Sequence, residues 1–334
     1  MPNLQLTLAC GNYDRTAALR DGTVSPEGID LTYLAIPAAE IFWRMLRFGE
    51  FDISEMSLAN YITECCEEKP RFIAMPIFPS RLFRHGYIFI SKKASIKKPE
   101  DLKGKKIGIA QYTMTACVMM RGMLQHEYGV APSDMVWFVG GKEGIGRRGK
   151  MKKDFPDSLP NTVIPENIAL SDMLAEGELD AIISPFVPES FLAKHPNVER
   201  LFTNYQQAEK DYYKKTKIFP IMHTIVVKRE IYEANPWVTQ SLYKAFAAAK
   251  DVCQQRYRQV KGTLPVMLPW FSPAFEEAVA LMGEDYWPYG VVNGRETLEA
   301  ITQYMWEQEL CTRKLSVEDL FAPNTVLNAG KIVH

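Results

Sequence analysis

The sequence predicts an α/β fold, and three observations carry that expectation. Short apolar or alternating runs of strand length recur from Leu4 onward, and most are followed by a stretch with helical spacing. The opening order is strand, strand, helix, strand, helix, joined by connections of the length α/β units use. At 334 residues, 47% hydrophobic and 24% charged, the composition is that of an ordinary globular chain with room for about two domains.

Each element has its own justification. Residues 4–8 alternate apolar and polar side chains, and 29–34 form a second strand. After Pro37, the residues Ile41, Phe42, Met45 and Leu46 make one helical stripe that Gly49 can end. Residues 51–53 read as a short strand, and Ser54, Glu55, Met56 and Ser57 lead into a helix running toward Cys66. Strands follow at 72–77 and 87–91, separated by residues 78–86. Beyond a lysine-rich stretch a second α/β unit opens, with a strand at 106–110, a turn at 111–113 and a helix from Thr115 to about Tyr128. Met173 and Leu174 mark another helix, 179–183 another strand, and 224–227 a returning one. Asn235 as N-cap and Pro236 at the first helical position start a helix reaching about Ala249. Helices opening at Ser272-Pro273 and Asn293 make the last third mostly helical.

Charge and motifs exclude several functions. The 39 Lys and Arg nearly balance the 40 Asp and Glu, for a formal charge of −1, so no nucleic-acid partner is expected. No window reaches the ~18 apolar residues of a membrane span, so no membrane partner is expected. The start lacks a secretory pattern, and the six cysteines without a C-x-x-C fit a reducing compartment, so the cytoplasm is the expected location. There is no H-E-x-x-H, no P-loop and no G-x-S-x-G, hence no sequence basis for a zinc site, a nucleotide site or a serine hydrolase. Residues 140–153 carry Lys142, Arg147, Arg148, Lys150, Lys152 and Lys153 against one acid, Glu143, among glycines. This loop is either a solvated basic stretch or a mobile flap that attracts a carboxylate ligand.

The runs D-L-K-G-K-K-I-G-I at 101–109 and E-G-E-L-D-A-I-I at 176–183, set between crossovers, resemble the type 2 periplasmic-binding-protein fold. That resemblance implies two lobes around a ligand cleft, a split lobe of residues 1–91 and 219–334 and an inserted lobe of 92–218. A closer resemblance is to the 4,5-dihydroxyphthalate decarboxylase family, and it covers almost the whole chain. It is carried by Gly11-Asn12-Tyr13-Asp14, by Asp52-Ile53-Ser54-Glu55-Met56-Ser57, and most specifically by Phe78-Pro79-Ser80-Arg81-Leu82-Phe83-Arg84-His85. The family pattern reads G-D-Y-D-H near its start, where this chain has Asn12 and Arg15; the exchange bears on the substrate and not on the fold. The resemblance implies a cytoplasmic carboxy-lyase of phthalate degradation that converts 4,5-dihydroxyphthalate to 3,4-dihydroxybenzoate without a cofactor. The same fold also serves solute-binding proteins that capture aromatic or carboxylate ligands, and cytoplasmic lyases of the menaquinone-pathway type. The expected partner is a small aromatic carboxylate; homo-oligomerisation is left open.

Removing CO2 from an electron-rich ring needs groups that hold carboxylates, polarise a phenol and deliver a proton to carbon. In 4,5-dihydroxyphthalate each hydroxyl is para to one carboxylate and can feed electrons to it. An arginine fork holds a carboxylate with two parallel hydrogen bonds, and a histidine or a raised carboxylic acid supplies the proton. If the loop after residue 77 faces the cleft, Arg81 and Arg84 are carboxylate-clamp candidates and His85 the proton-transfer candidate. Glu55, read at a helix start where it would stay ionised, can accept a phenolic proton or orient His85, or can simply open the helix. Asp14 is a further acid or an N-cap, and Arg15 stands at the departure from the family pattern. Thr113 and Thr115 offer hydroxyls and free N–H groups to an anion, or cap the helix. His223 precedes the strand that returns to the first lobe, and Arg147 and Arg148 complete the substrate-binding candidates.

Overall fold

The computed structural model describes residues 2–144, 155–260 and 262–326. Its strands are β1 (Leu4–Cys10), β2 (Ile29–Ala35), β3 (Ile53–Ser57), β4 (Phe72–Arg81), β5 (Ile88–Ser91), β6 (Lys106–Ile109), β7 (Val136–Gly140), β8 (Asn161–Ile164), β9 (Ala181–Ile183), β10 (Val198–Arg200) and β11 (Ile221–Lys228). They form two sheets, one in the order β2-β1-β3-β11-β4 and one in the order β10-β5-β9-β6-β7-β8. In the first, β1 runs parallel to β2 and β3, while β11 is antiparallel to β3 and β4. In the second, β6 runs parallel to β7 and β9, while β5 is antiparallel to β9 and β10. The first sheet therefore takes its strands from either side of the segment that builds the second. Strand β5 belongs to the second sheet, although the sequence groups it with the first 91 residues. The chain crosses at residues 82–87 and returns beside this crossover, where the Leu82 N–H donates to Pro220 O at 3.1 Å.

Three corrections follow from packing. The sequence predicts a strand over 51–53 and a helix from Ser54; instead all of Ile53–Ser57 is strand and the helix Leu58–Glu64 begins after it. Every residue of β3 is buried because it lies between β1 and β11, and a strand buried on both faces shows no alternation. Strand β4 extends through Pro76 and Pro79 to Arg81, so Arg81 is not in a loop. A sheet edge tolerates proline, and here residues 287–290 cover that edge, with Trp287 Nε1 donating to Phe78 O and Gly290 N to Pro76 O. The helix placed from Asn235 to about Ala249 is Trp237–Arg258, with Pro236 as N-cap.

Other expectations hold. Helix Ala38–Phe48 ends at Gly49 in the left-handed region (φ 58°), and helix Thr115–Tyr128 ends at Gly129. The second of these packs on helix Val291–Glu307 so closely that a Cβ at Gly122 would lie 2.1 Å from the Tyr304 ring. The main hydrophobic core runs without a break from Leu8 and Ile53 of the first sheet to Ile107 and Ile109 of the second. Among the described residues no helix is long and apolar enough to cross a membrane.

Candidate active site

Ligands in α/β sheets gather beyond the carboxyl ends of the parallel strands. Here Pro37 follows β2, Ser57 ends β3, Gln111 follows β6, and Pro185 and Phe186 follow β9; all five line one cavity of about 370 Å³ between the sheets. That is a small-molecule volume, within the roughly 300–1,000 Å³ of ligand pockets. Phe42, Met114, Pro185 and Phe186 give it apolar walls, while Ser57, Asn60, Ser80, Arg84, Gln111, Thr115 and His223 supply the polar groups.

The floor is a row across three strands. His223 on β11 pairs with Ser57 on β3 and with Ser80 on β4, and all three reach the cavity. Glu55 pairs directly with Ile225, which makes it the diagonal neighbour of His223 on the same face. Register therefore brings His223 Nδ1 to 2.5 Å from Glu55 Oε1. Glu55 is fully buried and also accepts from Gly11 N at 2.9 Å and from the Tyr13 hydroxyl at 2.8 Å. Burial opposes its charge, but the charge and hydrogen bond of His223, with the Gly11 and Tyr13 bonds, hold the carboxyl below its ordinary range. Burial and the Glu55 charge push the Tyr13 phenol up, so it stays a donor. An ionised Glu55 can only accept, so Nδ1 carries a proton and Nε2 is the ring nitrogen left for the cavity. Phe42 meets the imidazole edge-on at 4.8 Å and fixes its plane. Gly11 has a steric reason as well: a Cβ there would lie 2.5 Å from the Tyr13 ring.

Arg84 also lines the cavity and is 8% exposed. Its Nε and Nη2 meet Met222 Sδ at 3.2 and 2.9 Å, and Nη1 donates to Pro185 O at 3.1 Å. None of its bonds goes to a carboxylate among the described residues, and burial lowers its pKa to about 10. The start of helix Thr115–Tyr128 adds positive potential, since Met114, Thr115 and Ala116 all line the cavity.

Other sequence candidates fall elsewhere. His85 is 1% exposed, lies off the cavity lining, and packs edge-on against Phe202 and Tyr212 with no partner on either ring nitrogen. Burial lowers its pKa to about 4. Glu55 thus orients His223 and not His85. Arg81 is buried against Phe78 and Phe219, donates to Phe219 O and Pro288 O, and ties the returning chain to the crossover, away from the cavity. Asp14 accepts from Arg15 and from the Tyr257 hydroxyl, and these bonds outweigh burial in lowering its pKa. Arg15 lies between the Tyr13 and Trp287 rings and donates to Pro79 O. Neither residue lines the cavity, so the departure at Arg15 falls outside it. Thr113 is buried off the lining, whereas Thr115 is on it, with its hydroxyl 2.8 Å from the Ser57 hydroxyl and accepting from Ala59 N at 3.0 Å. Arg147 and Arg148 lie outside the described residues. Among the described residues, no three His, Cys, Asp or Glu side chains are grouped as metal ligands would be.

Asn60 and Ser80 are cavity residues that the sequence does not single out. One signal was present for Asn60, the lone polar side chain in Leu58-Ala59-Asn60-Tyr61-Ile62, an otherwise apolar stretch of a buried helix.

Comparisons with known proteins bear on the family and the fold. The family described as ABC transporter, phosphonate, periplasmic substrate-binding protein matches residues 19–145. The chain is 38% identical over 323 residues to a 4,5-dihydroxyphthalate decarboxylase of Comamonas testosteroni, covering 97% of this chain and 98% of the relative. It is 40% identical over 214 residues to a 4,5-dihydroxyphthalate decarboxylase of Pseudomonas putida, covering 64% and 83%. Among solved structures it resembles the periplasmic sulfonate-binding protein SsuA of Methylobacillus flagellatus KT, with a TM-score of 0.57 and 15% identity, covering 98% of this chain and 94% of that one. It also resembles the periplasmic aliphatic sulphonate binding protein SsuA of Escherichia coli, with a TM-score of 0.52 and 12% identity, covering 97% and 99%. At these identities the structural likeness gives the fold alone, that of the periplasmic binding proteins.

Proposed function

The chain belongs to the 4,5-dihydroxyphthalate decarboxylase family, and from that premise we propose that Arg84 holds the substrate while the Glu55–His223 pair moves the proton. It is a carboxy-lyase acting on 4,5-dihydroxyphthalate. The fold is shared with transport receptors, so the family and the site, not the fold, decide between chemistry and capture.

One observation carries the site assignment: Arg84 is a buried guanidinium on the cavity wall with no carboxylate partner among the described residues. A buried unpaired charge is costly, and a substrate carboxylate would pair it with two charge-assisted bonds. His223 then delivers the Nε2 proton to the ring carbon that bears the departing carboxylate. The para hydroxyl feeds electrons to that carbon. The electron pair of the breaking carbon–carbon bond restores the ring, CO2 leaves, and solvent returns the proton to His223. Glu55 accepts the Nδ1–H hydrogen bond and so orients the imidazole toward the cavity. The apolar walls at Phe42, Met114 and Phe186 limit water around the forming CO2. None of the six cysteines is in a disulfide, which supports a reducing compartment, and we place the chain in the cytoplasm.

The test is turnover of 4,5-dihydroxyphthalate in D2O. The expected outcome is one CO2 per product, with one deuterium at the vacated carbon. Tight binding without CO2 release would refute the catalytic reading in favour of capture.

A further inference from the structure

Two carboxamides in the cavity each keep a buried polar atom without a partner among the described residues. Asn60 is 6% exposed and Gln111 is 5% exposed, both line the cavity, and Asn60 Oδ1 and Gln111 Nε2 have no hydrogen-bond partner among the described residues. They belong to opposite walls, Asn60 to the first turn of helix Leu58–Glu64 and Gln111 to the turn after β6. A buried polar atom that makes no bond costs free energy in the empty protein, and most such groups in native structures are satisfied. The neighbouring hydroxyls do not share this state, since Ser57 and Thr115 bond each other.

We propose that Asn60, aided by Gln111 from the other wall, is the specificity-determining residue that selects a ring bearing hydroxyls. This rests on the reading of the cavity as the decarboxylation site. The donors of the cavity, Arg84 and the start of helix Thr115–Tyr128, suit the carboxylates, which only accept. A phenolic hydroxyl needs an acceptor for its proton as well as a donor, and a carboxamide offers both in either orientation. Ser57 and Thr115 are occupied with each other, and His223 is committed to proton transfer, so the two carboxamides are the groups matched to a hydroxyl pair. A site built to bond a hydroxyl rejects the analogue that lacks it, because its own polar groups are then left unpaired.

The experiment compares two dicarboxylates that differ in the hydroxyls alone, 4,5-dihydroxyphthalate and phthalate. The apparent affinity for 4,5-dihydroxyphthalate is measured as KM from CO2 release, and that for phthalate as an inhibition constant in the same assay, for the wild type, Asn60→Leu, Gln111→Leu and, as a control, Arg84→Gln. Wild-type protein should prefer the dihydroxy ligand. Asn60→Leu should weaken that ligand by roughly tenfold to a hundredfold, as expected for lost bonds to a buried polar group, with phthalate unchanged or tighter. Gln111→Leu should act in the same direction and less strongly, which keeps the proposal testable if Asn60→Leu does not fold. Arg84→Gln should weaken both ligands together. A structural role for Asn60 would lower the melting temperature of the empty protein when leucine replaces it; the proposal requires that temperature to hold or rise. If the wild type binds both ligands and neither leucine variant changes their ratio, the specificity assignment is overturned while the decarboxylation site stands. If the wild type binds neither dicarboxylate, the site reading fails and the specificity assignment goes with it.

Discussion

The β3–β11 ladder and the crossover that follows β4 each set a histidine beside a charged residue, and they treat it in opposite ways. On the ladder, His223 gives one nitrogen to buried Glu55 and keeps the other for the cavity. At the crossover, His85 is enclosed by Phe202 and Tyr212 and neither ring nitrogen has a partner, while its neighbour Arg84 takes the cavity wall. The arginines divide likewise: Arg81 is bonded by backbone carbonyls off the cavity, and Arg84 lies on it with no carboxylate. Proton transfer needs a partner that fixes the tautomer and an open path to the substrate. Burial alone gives neither.

The largest effect should come from exchanging the two histidines' roles by mutation. His223→Asn should lower kcat by roughly 10²–10⁴, the range of a lost general acid. His85→Asn should leave kcat within a few-fold. CO2 release and deuterium incorporation measure both, and a greater loss from His85→Asn would reverse the comparison.

The arginines come next. Charge-assisted bonds contribute about 1.5–3 kcal/mol each, so Arg84→Gln should raise KM by roughly tenfold to a hundredfold. Arg81→Gln should lower the melting temperature, because Phe219 O and Pro288 O lose their donor, with KM nearly unchanged. Equal KM effects from the two variants would remove the distinction between them.

Stability against pH separates the histidine at the crossover from the carboxylate on the ladder. Burial lowers His85 to about 4, whereas its unfolded value is about 6.5. Between those values the unfolded chain takes the proton and the folded chain does not, so stability falls as pH drops from about 6.5 to about 4. The full effect is about 3 kcal/mol. Glu55 is also lowered, so its contribution is present above its unfolded value near 4.5 and is lost as pH falls through the lower folded value. Urea unfolding at several pH values should show His85→Phe flattening the upper window and Glu55→Gln the lower one. The smallest expected effect is at the wall between the sheets. Thr115→Val leaves Ala59 N and the Ser57 hydroxyl without their partner and should cost about 1–3 kcal/mol of stability.

Local patterns already determined much of this protein. The helical stripe ending at Gly49, the helix from Thr115 to Tyr128 and the strand at 106–109 follow from spacing and caps that act within a few residues. The run from Phe78 to His85 named the family and held Arg84, because a specific string survives without knowledge of its neighbours. Tertiary structure alone decided the rest. Glu55 meets His223, 168 residues away in sequence, only through the register of β3 against β11. Strand β3 hid its nature because it is buried on both faces, and β4 hid its end because an edge strand admits proline. Whether Arg84 or Arg81, His223 or His85 faces the substrate depends on which side chain finds a partner within the fold and which is left facing the cavity. That depends on packing between distant segments, and no spacing along the chain encodes it.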